Sequence, residues 1–96
     1  MASKIKITPL AEIDIQDAVN YYNCIQKGLG KEFRDELKIK VNHLKIVPAS
    51  GSFLYDDVRY RVMKKFPFII LYILKNNDQV DVLRIFNTSQ IPFWKG

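Results

Sequence analysis

VRYRVMKKFPFIILYILKNNDQVDVLRIFN, residues 58–87, is the stretch whose reading decides the fold. It holds three runs rich in β-branched and aromatic residues, separated by two breaks. The first run, residues 58–63, carries Arg59 and Arg61 and passes at once into Lys64 and Lys65. Phe66-Pro67 then interrupts, because proline cannot donate to a strand ladder and biases the residue before it. Residues 68–75 (FIILYILK) are almost wholly apolar, as befits a strand buried in the middle of a sheet. Asn76-Asn77-Asp78 supplies residues that tolerate left-handed backbone, which suits a hairpin turn. Residues 79–86 (QVDVLRIF) form the third run. The pattern predicts an antiparallel three-stranded meander, with the upstream chain available to cover one of its faces.

Working outward, residues 3–7 (SKIKI) alternate polar and apolar, so Ile5 and Ile7 share one side of a short first strand. Thr8-Pro9 reads as a helix N-cap followed by proline at the first helical position, where its missing N–H costs nothing. Ala11, Ile15, Ala18, Tyr22 and Ile25 follow at helical spacing and make one apolar stripe. Glu12, Asp14 and Asp17 lie in the first turns, where the helix dipole favours acids. Gly28 suits the left-handed position after a helix end. A second helix over residues 31–47 shows Phe33, Leu37, Val41 and Leu44 on one stripe, Pro48 ends it, and residues 49–52 form a loop. The short glycine connection makes the two helices an antiparallel hairpin. The fold class is therefore α+β, ordered β-α-α-β-β-β. An antiparallel sheet carries the helical hairpin on one face and leaves the other face free.

Composition narrows the function. The 96 residues make a single domain, residues 1–96, and the 48% apolar fraction is too high for a disordered chain. No apolar run approaches the roughly 20 residues of a membrane span, and the N-terminus MASKIKIT lacks an apolar signal region, so a cytoplasmic location is expected. One cysteine, Cys24, and one histidine, His43, exclude an internal disulfide and a cysteine zinc cage. No metal or cofactor is expected. The net charge of +5 favours polyanions or an acidic protein partner. Arg59, Arg61, Lys64 and Lys65 fall within seven residues that contain no acid. They form either an anion-facing surface or a strand edge kept from aggregating by its charges.

The chain resembles the RelE/ParE toxins of bacterial type II toxin–antitoxin pairs, often labelled plasmid stabilisation proteins. The resemblance spans nearly the whole sequence. Its pieces are Tyr21-Tyr22, Gly28-Leu29-Gly30, Phe33 and Leu37, Leu44 with Pro48, and Val58-Arg59-Tyr60-Arg61. They continue in Lys65-Phe66-Pro67-Phe68 through Tyr72, and in Ile85-Phe86-Asn87-Thr88-Ser89-Gln90 with Pro92 and Trp94. The glycine-leucine-glycine turn and the basic-aromatic-proline turn tilt it toward the ParE-like branch. The resemblance implies the fold above and a cognate antitoxin that wraps and neutralises the toxin, in a toxin–antitoxin hetero-oligomer. It leaves the target open, since members either cut mRNA in the ribosome or inhibit DNA gyrase.

The residues bear on that choice. RNA cleavage through the 2′-hydroxyl needs a base, an acid and cations for the phosphorane charge. Arg59, Arg61, Lys64, Lys65 and Arg84 are the candidate cations. Strand alternation puts Arg59, Arg61 and Lys65 on one face and Tyr60 and Lys64 on the other. The arginines are expected on the open face. Where many relatives place a histidine this chain has Asn87, which cannot exchange a proton near neutrality. Where others use a C-terminal tyrosine the tail IPFWKG offers Phe93 and Trp94. Lys64 or Lys65 remain as proton carriers. His43, beside Leu44, reads as an exposed or boundary helix position and Cys24 as a small packing residue. Tyr21 and Tyr22 read as packing residues, whereas Tyr60 and Tyr72, beside arginines, are able to stack a nucleobase. Trp94 reads as a cover for a core edge or as part of a tail that contacts a target, and Asp56-Asp57 as charges bracketing the basic strand. Three actions follow: gyrase inhibition by binding, a ribosome-dependent mRNA endoribonuclease, or a non-toxic member that only binds antitoxin and co-represses its operon. The antitoxin is expected to present an acidic, initially disordered segment.

Overall fold

Thr8 and Pro9 begin the first helix as their order predicts. In the computed structural model, which describes residues 4–76 and 78–88, Thr8 has extended backbone, and its side chain accepts from the Ala11 N–H at 3.2 Å. The elements run β1 (Lys4–Ile7), α1 (Pro9–Ile25), α2 (Leu29–Ile46), a 3₁₀ turn (Pro48–Ser50), β2 (Ser52–Tyr55), β3 (Val58–Val62), β4 (Phe68–Lys75) and β5 (Gln79–Asn87). The expectations for Ser3, Asn77, Ser89, Gln90, Pro92, Phe93 and Trp94 lie outside the described residues.

The sheet has the order β1-β5-β4-β3-β2. β2 through β5 pair antiparallel, while β1 pairs β5 in parallel, Lys4 opposite Gln79 and Ile7 opposite Val82. The sheet is thus mixed and has one strand more than the periodicity predicts. Period-2 alternation is the same in both kinds of ladder, so the sequence carries no sign of the β1 direction. β2 starts at Ser52, the last residue of the expected loop, and runs on through residues to which no element is assigned above; it is four residues long and broken by a register shift between Phe53 and Tyr55, too short for alternation to show.

Gly28 takes the left-handed conformation, φ 87°, as its position predicts. α2 begins at Leu29, before the expected start, because Gly30 already lies in its first turn. The Gly30 N–H donates to Asn23 Oδ1 at 2.9 Å, and a Cβ there would stand 2.5 Å from the Val19 carbonyl oxygen. Glycine here lets α2 leave close against α1. Ala11, Ile15, Ala18 and Tyr22 of the predicted stripe are buried, joined by Val19; Ile25, at the helix end, is 58% exposed. Phe33, Leu37 and Leu44 of α2 meet Phe68, Ile70 and Tyr72 of β4 and Val80, Val82 and Ile85 of β5 in one core between hairpin and sheet.

The opposite face is not the free basic surface expected of it. Val58, Ile69 and Leu71 are buried there, with Leu54, Tyr60, Ile73, Leu83 and Phe86 packed around them. β4 is therefore apolar on both sides, which is why its sequence shows no alternation.

Asp81 is the buried carboxylate of the sheet. It accepts from Gln79 Nε2 at 2.7 Å and pairs with Lys75 Nζ at 3.0 Å. The Gln79 hydrogen bond, then Lys75 and the charge of Lys6, hold its pKa below the ordinary carboxylate value against the opposing cost of burial. A depressed folded-state pKa contributes stability above the unfolded value and loses it as pH falls through the folded one. Asp81→Asn is expected to lower the urea midpoint at pH 7, with the gap to the parent closing below about pH 4. A gap of constant size down to pH 3 would show that the carboxylate charge contributes nothing.

Candidate functional site

β3 presents its arginines toward the helices, at the margin where α2 ends. Arg59 lies opposite Tyr72 and Arg61 opposite Ile70, both core residues, while Tyr60 and Val62 face the second apolar cluster. The predicted grouping of Arg59 with Arg61 holds, but the face differs from the open one expected. Alternation states which residues share a side; the position of the α2–β2 connection decides what that side meets. Arg59 Nη1 donates to the carbonyls of Ala49 at 3.2 Å and Gly51 at 3.1 Å, and its guanidinium lies 3.9 Å from the centre of the Phe53 ring. Arg61 Nη1 donates to Ser50 Oγ at 2.5 Å and contacts His43 Nδ1 at 3.0 Å. For a guanidinium to donate there, the imidazole carries its proton on Nε2.

Tyr72 completes this joint. Its ring is fully buried, its hydroxyl donates to the Pro48 carbonyl at 2.9 Å, and it accepts from the Gly51 N–H at 2.9 Å. Burial raises its pKa, although Gly51, Arg59, Arg61 and Ser50 oppose the shift. The phenol is thus a fixed structural hydrogen-bonding group and has no face open for stacking on a base. Tyr22 is buried among Phe33, Phe66 and Phe68, and burial likewise raises its pKa; Tyr21 is 58% exposed. Tyr60 is half-buried on the second face.

Lys64 and Lys65 do not continue the strand. β3 stops at Val62, and both lysines sit in the turn to β4, where their backbone N–H groups donate to the Glu36 carboxylate, Lys64 at 2.6 Å. The predicted alternation of Lys64 and Lys65 fails because Met63 and Phe66 fold inward and bend the chain there.

Arg84 lies on β5, two strands from β3, and is committed elsewhere. Its Nε and Nη2 donate to the two Asp14 oxygens at 2.8 and 3.0 Å, and Asp14 also accepts from the Ile85 N–H at 3.0 Å. β1 ends opposite Val82, so β5 beyond it has no strand neighbour on that side; Thr8 and Asp14 supply the missing partners. The Asp14 hydrogen bond raises the Arg84 pKa further and keeps it charged. Asp14, Asp17, Tyr21, Phe68, Arg84 and Phe86 line a cleft of about 430 Å³ between α1 and this edge, and Asn87 borders it.

The structure therefore brings Arg59 and Arg61 together with His43 and Ser50, and separates them from Arg84. Sequence reading missed His43 and Asp14 as partners of the arginines; 18 and 70 residues of separation leave no local signal. Asp56 is a hairpin-turn residue with φ 44°, and among the described residues neither Asp56 nor Asp57 forms an ion pair with the basic strand. Cys24 is exposed on α1, not packed. Among the described residues no cluster of three acidic, histidine or cysteine side chains is placed to hold a metal, and no helix is long and apolar enough to cross a membrane.

Residues 5–92 match the family described as ParE toxin of type II toxin-antitoxin system, parDE. A solved structure, the chromosomal ParDE TA system from P. aeruginosa, shares the fold with a TM-score of 0.79 at 19% identity, over 90% of this chain and 96% of that one. No curated protein matches the sequence.

Proposed function

The chain belongs to the ParE toxin family of type II toxin–antitoxin systems, and from that premise we propose that it acts by binding DNA gyrase and cuts no substrate itself. The observation that carries this reading is the employment of the candidate cations. Arg59 and Arg61 lace the α2–β2 connection, and Arg84 is held by Asp14. Nuclease chemistry needs cations converging on one phosphate with a proton carrier beside them. Here the cations are spread over two sites, and Asn87 stands where a proton carrier is wanted. The partner is a cognate antitoxin, and the +5 charge favours an acidic segment on it.

One contact favours a second reading, the ribosome-dependent mRNA endoribonuclease. Arg61 and His43 bring a phosphate-binding group and a proton carrier within 3.0 Å. A supercoiling assay with purified gyrase separates the two. Added protein is expected to leave plasmid relaxed, and added antitoxin to restore supercoiling, while mRNA on translating ribosomes stays intact. Full supercoiling together with new 5′ ends in the ribosomal A site would overturn the proposal, and loss of those ends in Arg61→Ala would place the chemistry at β3.

A further inference from the structure

β1 borders the sheet, and among the described residues it pairs with β5 alone. The ladder fixes which of its groups are left over. The Lys4 N–H donates to the Asp78 carbonyl at 2.8 Å and the Thr8 N–H to the Val82 carbonyl at 3.1 Å, so residues 4, 6 and 8 turn their amides toward β5. Ile5 and Ile7 therefore point their N–H and C=O groups outward, two donors and two acceptors on an open strand edge. Their side chains are half-buried against the core under the helices, while Lys4 and Lys6 stand exposed on the other side of the strand. Beside this edge lies a groove of about 210 Å³ between the two helices and the end of β1. Ile7, Ile15, Leu37 and Val41 supply its apolar lining, Arg34 and Lys38 stand exposed along it, and Glu12 is the one acid that lines it. Neither Arg34 nor Lys38 forms an ion pair among the described residues. The open edge thus has cations on both of its sides.

We propose that β1 is a docking edge for an extended acidic segment of the cognate antitoxin, which joins the sheet as a further strand; the proposal rests on the antitoxin partnership stated above. Strand addition satisfies the outward groups of Ile5 and Ile7 by main-chain hydrogen bonds and sends alternate side chains of the added strand to the two sides of the sheet. On the helix side an apolar side chain enters the groove and a carboxylate reaches Arg34 and Lys38. On the other side carboxylates meet Lys4 and Lys6. Charge selects this occupant over a second copy of the chain. Two β1 edges paired about a two-fold axis would bring Lys4 and Lys6 against their own counterparts, and like charges directly opposite each other destabilise a strand pair.

Amide hydrogen exchange on the full chain, alone and in complex with its antitoxin, reads the edge directly. The Ile5 and Ile7 amides are expected to exchange fast in the free protein and at least tenfold more slowly in the complex, while the Lys6 amide, already bonded to β5, is slow in both. Arg34→Glu combined with Lys38→Glu keeps the fold, both positions being exposed, and is expected to weaken antitoxin binding at least tenfold at low salt, with less loss as salt rises. Lys27→Glu combined with Lys45→Glu changes the net charge equally but lies outside the groove, and should weaken binding several-fold less. A complex in which Ile5 and Ile7 exchange as fast as in the free protein would overturn the docking edge and leave the antitoxin partnership standing. Equal losses in the two double variants would also overturn it, reducing the attraction to overall charge. Protection of Ile5 and Ile7 that grows with the concentration of the protein alone would assign the edge to a second copy. Failure to form any complex would overturn the partnership itself and this assignment with it.

Discussion

Replacing Phe33 by alanine is expected to remove about 3–5 kcal/mol of stability, the usual cost of deleting a buried aromatic ring. Phe33 is fully buried and touches both a ring of the other helix and a ring of the sheet. Its ring centre lies 5.0 Å from Phe68, 5.3 Å from Phe66 and 5.6 Å from Tyr22, the Phe68 and Phe66 contacts edge-on. Tyr22 and Phe66 are themselves 4.8 Å apart, so four rings from α1, α2, the β3–β4 turn and β4 close on one another. Removing the central one leaves a void that rigid neighbours fill only in part. Small domains have about 5–15 kcal/mol in total, so the variant should approach the unfolding threshold. The check is a urea titration, with the midpoint falling and the slope unchanged. Ile39→Ala, 67% exposed on the same helix, should move the midpoint by no more than about 0.5 kcal/mol. A Phe33→Ala loss no larger than that of Ile39→Ala would refute the packing account.

Asp14→Ala is expected to cost about 2–3 kcal/mol, by unfastening α1 from the unpaired stretch of β5. The carboxylate serves three donors, the Arg84 Nε and Nη2 and the Ile85 N–H. The Arg84 side chain is 36% exposed and recovers water when its partner is lost, so the ion pair contributes the smaller share. The Ile85 amide carries the larger share, a sheet-edge N–H satisfied by a helix side chain that a sequence would never suggest. Amide exchange at Ile85 should therefore accelerate in Asp14→Ala while exchange at Ile70, in the middle of β4, stays slow. In a double-mutant cycle with Arg84→Ala the two losses should fall short of adding, since one interaction is shared. Strict additivity with unchanged Ile85 exchange would show that Asp14 serves only the helix dipole.

The sequence by itself determined the elements whose causes are local. Thr8-Pro9 starts a helix, Gly28 turns the hairpin, Pro67 and Asn76 bound β4, and β4 and β5 fall where the apolar runs put them. Each of these rests on residues within a few positions of one another, so one-dimensional spacing carries the information. It also determined that Arg59 and Arg61 share a side. Only the tertiary structure decided which side, because that depends on where the end of α2 and the turn after Pro48 settle against the sheet. The parallel β1, the four-residue β2, the His43–Arg61 contact and the Asp14–Arg84 pair are decided at the same level. Apart from β2, which pairs with its neighbour β3 and is too short for alternation to show, they join residues from separate parts of the chain, and each forms only because core packing has already brought its partners together, so no pattern within either segment announces the other.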